Sequence, residues 1–266
     1  SNKLLKLIKL NFKNINFQDI NFTSKNNFSF NIDNRFKLKN LALSLDIQID
    51  EGKYKKPDLI KKDFVDVNDI IHLKDHKITA IYKNENLTLK GSGKIQLEKE
   101  FDQIDYLINK KGSDLSLVSN IVLSELSIKN RKLSKNFFPK INENINLKDH
   151  QININFKDKN LTLKGSGKIQ LEKEFDQIDY LISKFGSKYN FDVKLDLNKT
   201  LLKVDYLKFK KDKKLNALLK VYGNYAKSDG LNLEEFSILA KNNRIILKNF
   251  ILDKEGKVLK YDQVDL

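Results

Sequence analysis

Apolar and polar residues alternate along most of this chain with a period of two, the spacing of a strand with one buried face. Ile8, Leu10 and Phe12 alternate with Lys9 and Asn11, and Phe28, Phe30 and Ile32 alternate with Ser29 and Asn31. Leu41, Leu43, Leu45, Ile47 and Ile49 form one unbroken stripe; Tyr189, Phe191, Val193, Leu195 and Leu197 form another. Between such runs stand short polar groups with turn-forming residues: Ser24–Asn27, Asp158–Asn160, Gly186–Ser187, Asp212–Lys214, Ser228–Gly230, Asn242–Asn243 and Asp253–Gly256. The pattern predicts an all-β fold: an elongated, curved antiparallel sheet, groove-like and built from repeats, with few short helices. Pro57–Ile71 fits a short helix or an irregular crossover. Phe137–Ile145, with the only other proline, marks a second boundary, and Leu123–Leu133 fits helix or strand. These marks divide the chain into a meander at 1–56, a first repeat unit at 57–136, and a second repeat unit with a further meander at 137–266.

The repeat is explicit. NLTLKGSGKIQLEKEFDQIDYLI, Asn86–Ile108, returns unchanged as Asn160–Ile182, 74 residues later. The likeness extends upstream, where HLKDHKITAIYKNENLTLKG from His72 aligns with NLKDHQININFKDKNLTLKG from Asn146. Downstream, Gly112–Ser113 matches Gly186–Ser187 before the copies diverge. Repetition at this length implies one set of strands laid down twice. Within the repeat, EKEFDQIDYLI fits a helix through Phe101, Ile104 and Leu107, but fits a strand better through Ile104, Tyr106 and Ile108.

KGSGK resembles a phosphate-binding loop, and the comparison fails on residues. Thr88 stands where such a loop needs its first glycine, and Ile95 stands where it needs Ser or Thr. Parity supplies another reading: Leu87, Leu89, Gly91, Gly93, Ile95 and Leu97 fall on one face of one strand. Gly91 and Gly93, with Gly165 and Gly167 in the second copy, then set curvature or clearance on the apolar side.

Composition narrows the function. Net charge is +15, yet Arg35, Arg131 and Arg244 are the only arginines. Evenly spread lysine mixed with Asn, Ile and Phe reads as the product of AT-rich codons, not as a nucleic-acid surface. The chain has no Cys and no Met, even at its first position. The latter predicts a piece of a longer or processed protein, with any targeting signal or membrane anchor outside it. His76 and His150 are repeat equivalents in LKDH, read as turn or strand-start histidines, since adjacent Asp and His on a strand face opposite sides. Acidic pairs such as Glu98 and Glu100, or Glu234 and Glu235, read as solvated faces. No nucleophile and base are spaced for catalysis, so the expectation is a protein with no enzymatic activity, cofactor or metal.

The run from Phe137 onward resembles the AsmA-like superfamily of bacterial envelope proteins, of the YhdP/TamB-like type. The carrying features are the L-x-G-x-G-x-I-x-L strand, the following I-x-Y-x-I hairpin, and Leu202–Lys211. The likeness is clearest over Phe137–Leu266 and reaches His72–Ser113 through the repeat. The resemblance implies a periplasmic protein anchored in the inner membrane, whose β-groove conducts phospholipid toward the outer membrane. Acyl chains would then line Leu87, Leu89, Ile95, Leu97, Leu161, Leu163, Ile169, Leu171, Phe191, Val193 and Leu195, with no nucleic acid as partner. A closed sandwich or solenoid module of a surface protein remains the alternative.

Overall fold

The computed structural model describes residues 17–55, 68–130, 138–204, 208–213, 215–241, 243–255 and 257–265. Every regular element among them is a strand. They are β1 (Phe17–Ile32), β2 (Leu38–Lys55), β3 (Ile70–Lys83), β4 (Asn86–Gln96), β5 (Phe101–Lys111) and β6 (Asp114–Lys129). Then follow β7 (Asn144–Lys157), β8 (Asn160–Gln170), β9 (Phe175–Phe185) and β10 (Lys188–Leu197). β11 (Leu202–Val204) and β12 (Phe209–Lys211) are short, and β13 (Ala217–Ala226), β14 (Gly230–Ala240) and β15 (Arg244–Leu252) are long. β16 (Val258–Lys260) and β17 (Gln263–Asp265) both pair with β15.

One antiparallel sheet of 15 strands runs from β1 to β10 in chain order, then through β13, β14 and β15; β11 and β12 pair separately. The order is an open path, so the all-β, single-sheet expectation holds. The two repeats are strand sets of matching bounds: β3, β4 and β5 each recur 74 residues later as β7, β8 and β9. FDQIDYLI is a strand in both copies, as its alternation indicates. The β3–β4 turn carries positive φ at Asn84 (50°) and Glu85 (62°), and the β7–β8 turn at Asp158 (51°) and Lys159 (66°). That pair of left-handed residues suits the right-handed twist of a two-residue hairpin.

Several expectations fall differently. Ser24–Asn27 is no turn: β1 runs through it, with Ser24 opposite Ile47 and Asn27 opposite Ser44. The long apolar stripe of β2 offers a continuous ladder, and cross-strand pairing overrides local turn preference. The real turn follows at Asp33–Lys37. No helix occurs among the described residues; of Pro57–Ile71, Ile70 and Ile71 belong to β3, and 56–67 lie outside the described residues. Leu123–Lys129 is strand, while 131–133 lie outside, as does the Ile8–Phe12 stripe. Phe138–Glu143 is an irregular approach to β7.

The chain divides into two compact units, Ser1–Val122 with Phe156–Asp158, and Leu123–Asn155 with Lys159–Leu266. In the first, registers align apolar residues into rows across the strands. One row is Leu45, Ala80, Leu89, Ile108 and Leu117. A second is Phe28, Leu43, Tyr82 and Leu87. In the second unit, Leu163, Ile182, Phe191 and Gly223 form one row, and Gly167, Ile178, Leu195, Leu219, Ile238 and Ile245 another. That latter row runs into a closed core with Phe138, Ile141, Leu197, Leu202 and Phe209.

Candidate functional site

The repeated glycines sit beneath side chains of their own sheet. A methyl group on Gly91 would overlap the ring of Tyr106, its cross-strand partner. One on Gly93 would overlap the His76 ring and come within 2.7 Å of His76 Cα. Gly165 and Gly167 stand in the same relation to Tyr180 and His150, with His150 Cα at 2.8 Å. Glycine therefore supplies clearance here, and Tyr and His take it.

A bulge brings the histidine into place. Lys74 pairs with Lys94 and Lys77 with Ser92, so Asp75 and His76 together stand opposite Gly93. Asp75 adopts φ 54°, and Asp149 does the same in the second copy. The extra residue moves the apolar face of β3 from Ile71 and Leu73 to His76, Ile78 and Ala80. Hence Asp75 and His76 do face opposite ways, but the histidine lies mid-strand and buried (3% exposed; His150, 0%), not at a strand start.

Hydrogen bonds define the histidine's state. His76 Nε2 donates to the Lys94 carbonyl at 2.9 Å, and His150 Nε2 to that of Lys168 at 2.9 Å. His150 Nδ1 is left to accept from the Tyr180 hydroxyl at 3.3 Å. Burial holds both imidazoles below their usual pKa, against the raising effect of the carbonyl bond and the adjacent aspartate. Burial likewise pushes Tyr106 and Tyr180 up. On the opposite face Asp75 pairs with Lys94 Nζ at 3.6 Å and Asp149 with Lys168 Nζ at 2.8 Å. These letters, which look like chemistry, form a packing module: a buried histidine over a glycine, held through Nε2 in both copies and through Nδ1 as well in His150. Among the described residues no three metal-ligating side chains converge.

The proposed lining residues divide into two groups. Leu87, Leu89, Ile95 and Leu97 are half-buried, as are Leu161, Leu163, Phe191 and Val193. Ile169 (8%), Leu171 (4%) and Leu195 (5%) are instead inside the closed core of the second unit. Leu197, Leu202 and Phe209 belong to the same buried cluster, so protein side chains pack against these three where an open groove floor was expected. In the first unit the contacts recorded among described strands run between sheet neighbours.

The cover over the core is fastened by buried charge. Asp176 Oδ1 accepts the backbone N–H of Asn198 (2.7 Å) and Lys199 (2.8 Å), and its Oδ2 accepts the Thr200 hydroxyl (2.5 Å). Glu172 Oε1 accepts from Leu201 N at 3.1 Å, and its other oxygen pairs with Lys213. Lys211, 1% exposed, donates to the Thr200 carbonyl at 2.7 Å. Burial lowers its pKa, opposed by the carboxylates of Asp176 and Glu172. Glu172 is therefore no solvated acid, unlike the expectation for its equivalent Glu98.

Comparison with family models, with curated proteins and with solved structures returns no match.

Sequence reasoning missed the tyrosine and histidine above the glycines, the bulge, and the buried acid cluster. Two signals were present. Apolar parity slips by one residue at Lys74–Asp75 and again at Lys148–Asp149. The repeat also starts earlier than His72: Asn68 Nδ2 donates to the Glu98 carbonyl, as Asn142 Nδ2 does to that of Glu172. The acid cluster had no such signal, because its partners lie in the unrepeated stretch after Leu197.

Proposed function

We propose that the apolar face of the first unit holds lipid acyl chains, in a non-enzymatic protein of phospholipid transport in the bacterial envelope. The observation that carries this is the continuous apolar row through Leu45, Ala80, Leu89, Ile108 and Leu117, in which Ala80 is buried and the other four are half-buried. A single sheet with one apolar face needs something to cover it, and an acyl chain can serve as that cover. Six strands at about 4.8 Å spacing extend about 24 Å, longer than the roughly 15 Å that one leaflet of hydrocarbon occupies. An acyl chain lying along a row would cover several strands. Its burial is driven by apolar area and needs no directional contact. The resemblance to the AsmA-like superfamily adds the setting: periplasm, inner-membrane anchorage, and phospholipid as cargo.

A structural role is the second reading. The closed core of the second unit favours it, together with the tyrosine and histidine side chains that fill the glycine gaps. Purification of the chain from cells, solvent extraction and mass spectrometry separates the two. Co-purified phospholipid near one equivalent supports the acyl-chain reading; lipid-free protein with unchanged folding supports the structural one.

A further inference from the structure

The turn between β1 and β2 holds a phenylalanine where backbone geometry asks for glycine. Asp33 N donates to the Lys37 carbonyl at 3.0 Å and Phe36 N to the Asp33 carbonyl at 2.9 Å. Asp33 Oδ1 accepts from Arg35 N and Lys37 N, each at 2.9 Å. Phe36 then adopts φ 54°, a left-handed conformation that a bulky side chain seldom takes. The same frame recurs between β15 and β16: Asp253 N donates to the Lys257 carbonyl at 3.0 Å, and Asp253 Oδ1 accepts from Glu255 N and Lys257 N. There the fourth residue of the sequence is Gly256. Phe36 is therefore not required by this kind of turn, and it works against the backbone.

What the phenylalanine achieves is exposure. Phe36 is 91% exposed, and Ile32 (59%), Leu38 (47%) and Phe30 (42%) stand nearby on the two strands. Ile32 and Leu38 are cross-strand partners next to the turn, and Phe30 stacks on Phe28 at 6.3 Å. Around them Arg35, Lys37 and Lys39 are exposed cations. The single carboxylate, Asp33, is engaged by the turn itself and by Lys39 Nζ at 3.2 Å. An apolar tip flanked by cations matches a bilayer surface, where aromatic rings settle at the headgroup level and cations meet anionic phosphates.

We propose that the β1–β2 hairpin tip, Phe36 with Ile32 and Leu38, inserts into an anionic lipid bilayer while Arg35, Lys37 and Lys39 contact its headgroups. The proposal stands whether or not the apolar face elsewhere carries acyl chains. The chain has no tryptophan, so Phe36→Trp places a fluorescent reporter at this tip alone. Vesicles of phosphatidylglycerol and phosphatidylethanolamine are expected to blue-shift and brighten its emission. Phe36→Gly relieves the backbone conformation, so circular dichroism stays that of the parent, and vesicle affinity falls roughly tenfold or more. Replacing Arg35, Lys37 and Lys39 together by Ser costs on the order of a hundredfold on anionic vesicles. An indole emission that vesicles leave unmoved, with Phe36→Gly floating as the parent does, overturns the proposal and leaves the tip to a protein partner.

Discussion

Asn86–Ile108 and Asn160–Ile182 are letter-identical, yet their ends meet different surroundings. Both form the same two strands, the same glycine gaps under Tyr and His, and the same bracket from an upstream asparagine. Leu97 is half-buried, whereas Leu171 is 4% exposed within a closed core. Glu172 is 4% exposed and bound to the backbone of Leu201 and to Lys213. Local backbone follows local sequence; burial follows what the rest of the chain brings to it. In the second copy the strand after Gly186–Ser187 ends at Leu197, and Asn198–Thr200 turns back onto the Asp176 carboxylate. In the first copy the corresponding strand continues to Lys129.

The largest effect is expected at the cover. Asp176→Ala strips three hydrogen bonds from the Asn198–Thr200 turn and removes a carboxylate that opposes the buried Lys211 charge. Loss of about 3–5 kcal/mol in urea unfolding is expected, the usual consequence of breaking a buried charged network. Leu171→Ala and Leu97→Ala test the comparison directly, since they alter the same letter in the same local sequence. Leu171→Ala should cost about 2–5 kcal/mol, and Leu97→Ala less than half as much. Equal losses would abolish the distinction between the two copies.

The glycines sharpen what the copies share. Gly93→Ala and Gly167→Ala bring a methyl against histidine ring and Cα alike, and each is expected to lose roughly 1–3 kcal/mol. Gly91→Ala and Gly165→Ala meet the far end of a tyrosine ring, which can swing away, so a smaller fall in Tm is expected. A reversed order would show that tyrosine, not histidine, fixes the module. The smallest effect is in pH dependence. His76 and His150 have folded pKa values below the ordinary 6.5, so the unfolded chain takes up protons first. The stability they provide is whole above about pH 6.5 and declines as pH falls below it through their folded values. The double variant His76→Gln with His150→Gln should flatten that decline in a pH series of Tm; an unchanged slope would assign it to other groups.

Most of the sheet was legible from alternation, because strands with one apolar face write their period into the sequence. The module was partly legible. The duplicated LKDH and the shared parity of Gly91 and Gly93 marked a special place, and the slip of parity at Asp75 marked the bulge. What occupies the glycine gap was hidden, because Tyr106 reaches Gly91 across strands and only register shows it. The division of the lining residues was hidden more deeply. Nothing within Ile169-Gln170-Leu171 differs from Ile95-Gln96-Leu97, and the cover comes from a region with no counterpart in the first repeat. Turn propensity misled at Ser24–Asn27, where a long partner strand supplied hydrogen bonds that the side chains alone do not reveal.

The central claim is that acyl chains reach the face of Leu45, Leu89 and Ile108 and not the core of Ile169, Leu171 and Leu195. Irradiating the whole chain with a phospholipid carrying a diazirine in its acyl tail, then mapping adducts by peptide mass spectrometry, tests it directly. Adducts on the peptides of Leu45, Leu89 and Ile108, with none on those of Ile169, Leu171 and Leu195, are the expected result. An absence of adducts on the first set, or equal labelling of both, would contradict it.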